Sequence, residues 1–292
     1  MKRGFLISLS ILILSANVRG QGTGSDPLLE SIAYHSDIMV NAVADQHRIK
    51  AHAIFQATMD TLLARPGSYN VPLDSIPWIA VVHGDDFRIV TWQLRLSDSE
   101  YKYGGFIQWP DRIVKLNDSR PWLNGAAYSY YTPDLWYGCL YYNIIPFENE
   151  GKKYYALFGF NAENAMNNTK VADILDLTGD SPKLGLPLFV SNEEARTRII
   201  ITYADVSSVH LVYDTELKAI VHDHLSTLPG IGPSGEALAV SDGSLEGWFL
   251  KDGKWVYEEE VYDVKMEEPP MLEERKVYKE DKDLFGRPKK EK

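Results

Sequence analysis

The chain has 292 residues, 45% of them apolar, and a formal net charge of −11, so it is long enough to bury a substantial core. Its acidity repels phosphate backbones and anionic lipid, which argues against nucleic-acid and membrane-surface partners. Cys139 is the only cysteine, which excludes an internal disulfide; its apolar, strand-like surroundings read as a buried, inert thiol.

The first twenty residues read as a secretory signal peptide. Met1, Lys2 and Arg3 supply positive charge, Phe5 to Leu14 is nearly all apolar, and Val18 and Gly20 fit the small positions before a cleavage at Gln21. The apolar run is shorter than the roughly 20 residues needed to span a bilayer, and no later segment reaches that length either. No cysteine follows it to carry a lipid. The expected location is therefore outside the cytoplasm, periplasmic or extracellular, with no transmembrane segment in the mature chain.

Asp26-Pro27 is an N-cap followed by proline at the first helical position. Apolar residues then recur at spacings of three and four, through Leu28, Leu29, Ile32, Met39, Val43, Ala51, Ile54, Phe55, Met59, Leu62 and Leu63. This predicts one interrupted helix or a helical hairpin over 26–65, with its weak point near Ala44-Asp45-Gln46. A β-rich domain follows over 70–262, where the apolar period changes to two.

Strands are expected over 78–82, 87–96 and 101–109, with Gly104-Gly105 marking a bulge or a close backbone approach. Residues 110–137 read as irregular. Strands 138–145 and 153–160 flank a hairpin turn at Glu148-Asn149-Glu150-Gly151, and 170–177 and 186–190 are apolar again. Three strands over 198–203, 209–213 and 217–225 read as an antiparallel meander. Asp252-Gly253 between two apolar runs predicts the last hairpin. Residues 264–292, rich in charge of both signs and proline, read as a solvated tail. The fold class is α+β: mainly antiparallel β, as a meander, sandwich or curved sheet, with a helical segment packed on it.

Few residues carry a chemical signal. Gly179-Asp180-Ser181 spells part of a lipase nucleophile block, but it lies mid-chain before Pro182 and reads as a turn. His222 and His224, two apart on a strand, point the same way, and a tight hairpin would bring His210 near them as a third zinc ligand. Asp223 would then point to the other face and anchor a turn or an arginine. The asparagine-rich loop 161–168 offers oxygen ligands for calcium but lacks the alternating acidic pattern of a calcium loop, and turn chemistry explains it. The aromatics Trp122, Tyr130, Tyr131 and Trp136 are candidates for stacking on a glycan or a partner protein, set against a role in the core.

The runs Leu135 to Pro146, Gly151 to Asn161 and Thr169 to Leu175 resemble a group of exported proteins of Bacteroidota-type bacteria with no assigned function. The resemblance spans roughly 136–225. It implies a periplasmic or surface location and assigns no catalytic residue. The leading expectation is a non-enzymatic envelope protein that binds a protein partner or glycan and needs no cofactor. The alternative is a metal-assisted hydrolase using His210, His222 and His224.

Overall fold

The computed structural model describes residues 26–97, 99–120, 123–230, 237–259 and 261. The expected signal segment, the charged tail over 264–292 and Trp122 lie outside these residues.

Helix α1, Pro27–Asn41, begins as expected: the Asp26 carboxylate accepts from Leu28 N at 3.0 Å, and Pro27 starts the first turn. Asp26 also meets Arg65 at 2.6 Å, an exposed pair that adds little. Asp26→Ala is expected to lower folding stability by about 1 kcal/mol, the worth of one cap, measured by urea unfolding. Helix α2 runs Asp45–Leu63, so the pair forms a hairpin broken at Ala42 to Ala44. Arg48 explains the break. Its fully buried guanidinium donates to the carbonyls of Ala42 and Val43, satisfying acceptors that the end of α1 leaves open. Its Nε donates to Arg95 O at 2.7 Å, which ties the helices to the sheet below.

Strands β1 (Ile79–His83), β2 (Arg88–Arg95), β3 (Tyr101–Gln108) and β4 (Ile113–Asn117) make a four-stranded antiparallel sheet in chain order. Next come β5 (Leu140–Asn149), β6 (Lys152–Asn161), β7 (Asn167–Asp176) and the short β8 (Lys183–Leu184). β9 (Phe189–Ser191) and β10 (Glu194–Arg196) form a small hairpin, after which β11 (Arg198–Ala204) pairs with β7. The chain ends with β12 (Leu211–Asp214), β13 (Ala219–Leu228), β14 (Leu238–Lys251) and β15 (Lys254–Glu258). The second sheet has the order β11-β7-β6-β5, with β8 on β7, and the third β10-β9-β15-β14-β13-β12. Among the described strands only β15 and β9 pair in parallel.

Three apolar clusters join these pieces in series. Ile32, Phe55 and Met59 of the helices pack on Val90, Trp92 and Phe106 of the first sheet. Ile89 and Ile107, from its other face, meet Tyr141, Leu157 and Val171 of the second. Phe158, Ile174 and Ile201 then meet Ile220, Trp248 and Trp255 of the third. The second sheet is thus buried on both faces, which is why Tyr154 to Phe158 reads as an unbroken apolar run rather than an alternation.

The mainly antiparallel α+β architecture matches the expected class. Several local readings do not survive. Among its described residues the irregular stretch 110–137 contains β4 and two short 3₁₀ turns. Of the two readings of Gly104-Gly105, the bulge falls, because β2 and β3 stay in register, and the close approach holds: a Cβ on Gly104 would lie 2.6 Å from the Trp92 ring and one on Gly105 2.7 Å from the Val90 carbonyl. The meander begins one strand later than predicted. β12 to β15 form it, while β11 leaves for the second sheet because Arg198 pairs there with Asp173, its partner in register on β7.

Candidate functional site

The third sheet positions the histidines. β13 carries His222, Asp223 and His224 in succession, opposite β14. The ladder pairs Asp223 with Leu245 and then Leu225 with Ser241, so β14 bulges over Asp242, Gly243 and Ser244 against the single residue His224. Gly243 takes the left-handed backbone this requires, at φ 86°.

His222 is buried. Its Nε2 lies 3.1 Å from Trp248 Nε1, a group that only donates, and its Nδ1 lies 3.0 Å from the Asp223 carbonyl, which only accepts. The imidazole is therefore held neutral with its hydrogen on Nδ1. Burial pushes its pKa below the usual 6.5. His224 is partly exposed and behaves oppositely. Its Nδ1 lies 2.7 Å from the Asp242 carboxylate, which raises its pKa. Asp242 is held well below the usual carboxylate range by the Ser226 and Ser244 hydroxyls, the Ser244 amide and His224.

Glu246, paired in register with His222, is the common neighbour. Its carboxylate oxygens lie 3.6 Å from His222 Nδ1 and 3.8 Å from His224 Nε2. The Tyr257 hydroxyl donates to it, and burial together with that carboxylate raises the phenol pKa. These groups line a cleft of about 480 Å³ whose far wall is Ile199 to Thr202 of β11, with Ser191 and Arg196 at one end. That volume lies within the ~300–1,000 Å³ span of small-molecule sites. Arg196 Nε has no hydrogen-bond partner among the described residues.

The expected histidine trio is not assembled. His210 turns to Asp223, its Nδ1 3.0 Å from that carboxylate, which also accepts from the His210 amide and, at 2.8 Å, from the Ser241 hydroxyl. Asp223 is thus the turn anchor its alternation predicts. Among the described residues no group of three or more His, Cys, Asp or Glu is arranged to hold a metal ion. A metal on His222 would have to displace the Trp248 N–H or the Asp223 carbonyl.

The aromatic set also divides. Tyr130 is exposed, but Tyr131 is buried over the Arg198 guanidinium, 4.5 Å away, and Trp136 is wholly enclosed. The stacking role expected of Tyr131 and Trp136 is corrected to a role in the core, because neither offers a ring face to a ligand. Loop asparagines close their own turn: Asn164 Oδ1 accepts from Met166 N and Asn167 N. Cys139 is fully buried and burial pushes its thiol pKa well up.

Sequence reasoning missed Glu246, Trp248, Tyr257 and Arg196. The signal for Glu246 was the cross-strand register with His222, which depends on knowing that β13 pairs with β14.

The two histidines are expected to titrate on opposite sides of 6.5 by NMR, His224 above and His222 below. The His224 contribution to stability is present at acid pH and lost as pH rises through its raised value. The His222 contribution is full above 6.5 and lost as pH falls below it.

No helix among the described residues is long and apolar enough to cross a membrane. Compared with known proteins, the chain matches no family model, no curated protein and no solved structure.

Proposed function

We propose that this chain is an exported, non-enzymatic binding protein of a bacterial envelope, and that the cleft between β11 and the third sheet holds a sugar unit of a glycan. One observation carries the reading. A half-buried carboxylate, Glu246, is bracketed by two imidazoles and a phenol, and Arg196, whose Nε has no hydrogen-bond partner among the described residues, lines the same cleft. Sugar hydroxyls both donate and accept, so they suit a site where carboxylate, guanidinium and hydroxyl groups converge beside aromatic rings. The titratable groups already have partners, His222 the Trp248 N–H and the Asp223 backbone carbonyl, and Asp242 the Ser226 and Ser244 hydroxyls and His224. That arrangement suits holding a ligand rather than moving its protons. Export is supported by the N-terminal charge and apolar pattern.

A glycan array followed by calorimetry tests the reading. Glu246→Gln is expected to weaken the best glycan about tenfold or more, the scale of a charge-assisted hydrogen bond, while the melting temperature stays put. Stoichiometric zinc in the purified protein, lost on combined His222→Ala and His224→Ala substitution, would overturn it in favour of the metal-assisted hydrolase.

A further inference from the structure

A second cavity lies between α2 and the helix-facing side of the first sheet. It holds about 190 Å³ and is more enclosed than the histidine cleft. Met59 and Leu63 of α2 form one apolar wall, and Trp92 and Phe106 of the sheet form the other. The indole of Trp92 is 94% withdrawn from solvent at a relative exposure of 6%, yet its Nε1 has no hydrogen-bond partner among the described residues. A buried donor left unpaired is costly.

The position of that N–H is fixed by the glycine beneath it. A Cβ on Gly104 would stand 2.6 Å from both Cε2 and Nε1 of Trp92, so the indole ring lies against bare backbone, and both residues line the cavity. A second donor stands at the same cavity. Lys102 lines it, and its ammonium makes no hydrogen bond or ion pair with another described residue, whereas the neighbouring Lys115 is paired with Asp60 at 2.8 Å. Burial, with the Lys102 charge added, holds the His52 imidazole on α2 down at about 4, and the same charge acts on the Asp118 carboxylate across the cavity. Asp118, the other acid at the cavity, already accepts from the backbone amides of Tyr103 and Arg120.

We propose that this cavity is a binding site for a small monocarboxylate with an apolar body. One carboxylate oxygen would accept from Trp92 Nε1 and the other from Lys102, with the apolar body lying between Met59, Leu63 and Phe106. Two unused donors beside apolar walls define a ligand with an acceptor-rich end and a hydrophobic end. The site is independent of the glycan cleft.

Benzoate, phenylacetate and hexanoate serve as probes, titrated into the ¹⁵N-labelled protein. The indole N–H signal of Trp92 is identified by its loss in Trp92→Phe. At least one probe is expected to shift that signal saturably, and Lys102→Met, a change at an exposed side chain that leaves the core intact, is expected to weaken it about tenfold. The proposal is overturned if no probe moves the Trp92 signal, if Lys102→Met binds as tightly as the wild type, or if uncharged benzyl alcohol binds as tightly as benzoate.

Discussion

Asp173→Ala is expected to cost about 3–5 kcal/mol of folding stability, because it strands the buried guanidinium of Arg198. The two side chains are 1% and 0% exposed, and they meet twice: Nε to Oδ2 at 2.9 Å and Nη2 to Oδ1 at 3.1 Å. Nη1 donates to the Ala126 carbonyl, and the ring of Tyr131 lies over the guanidinium plane. Removing the carboxylate leaves a charge that can neither reach water nor lose its proton. Urea unfolding measures the loss. The double variant Asp173→Leu, Arg198→Met is expected to recover most of it, since removing both charges also removes their desolvation cost. A single-variant loss under about 1 kcal/mol would mean that the pair is open to solvent. The pair also fastens β11 to β7, and β11 is one wall of the histidine cleft. Asp173→Ala should therefore weaken glycan binding beyond its effect on the folded fraction, whereas the double variant should restore it.

The same pair shows where the sequence could be read and where it could not. Local signals worked where one residue decides a local geometry. The Asp26-Pro27 cap, the Glu150-Gly151 turn and the Asp252-Gly253 turn all appear as expected, and the two hairpin turns carry the positive φ values their residues tolerate. Assignment of strands to sheets failed at β11, because Arg198 and Asp173 are 25 residues apart and nothing local announces that they pair. Sequence order favoured β12 as the neighbour. A buried ion pair, costly to leave open, selected β7 instead. The candidate site was half legible for a similar reason. His222 and His224 stand out by spelling, but their grouping depends on a bulge over Asp242 to Ser244 and on Glu246 arriving from another strand. Hairpin register puts His210 opposite Asp223, and that carboxylate takes its imidazole.

Trp136→Ala is expected to cost about 3–5 kcal/mol, the loss for a large aromatic in a packed core. Trp136 has no exposed surface, and its Nε1 donates to the Tyr141 hydroxyl at 3.1 Å inside the cluster that joins the first and second sheets. Truncation opens a cavity and also removes a donor to a buried hydroxyl. Tyr130, six residues earlier and 58% exposed, provides the contrast: Tyr130→Ala should change stability by less than about 0.5 kcal/mol. The pair of variants separates two roles that aromatic content alone confuses. A stacking platform loses ligand when truncated and keeps its melting temperature. A core residue does the reverse at equal folded protein. Trp136→Ala should lower the unfolding midpoint sharply while leaving the glycan affinity of the folded fraction unchanged, since the cleft at Glu246 is built from β11 and the third sheet, without Trp136. A variant that melts normally but loses its glycan would place the binding surface on the 126–136 segment instead, where Tyr128 and Tyr130 are exposed.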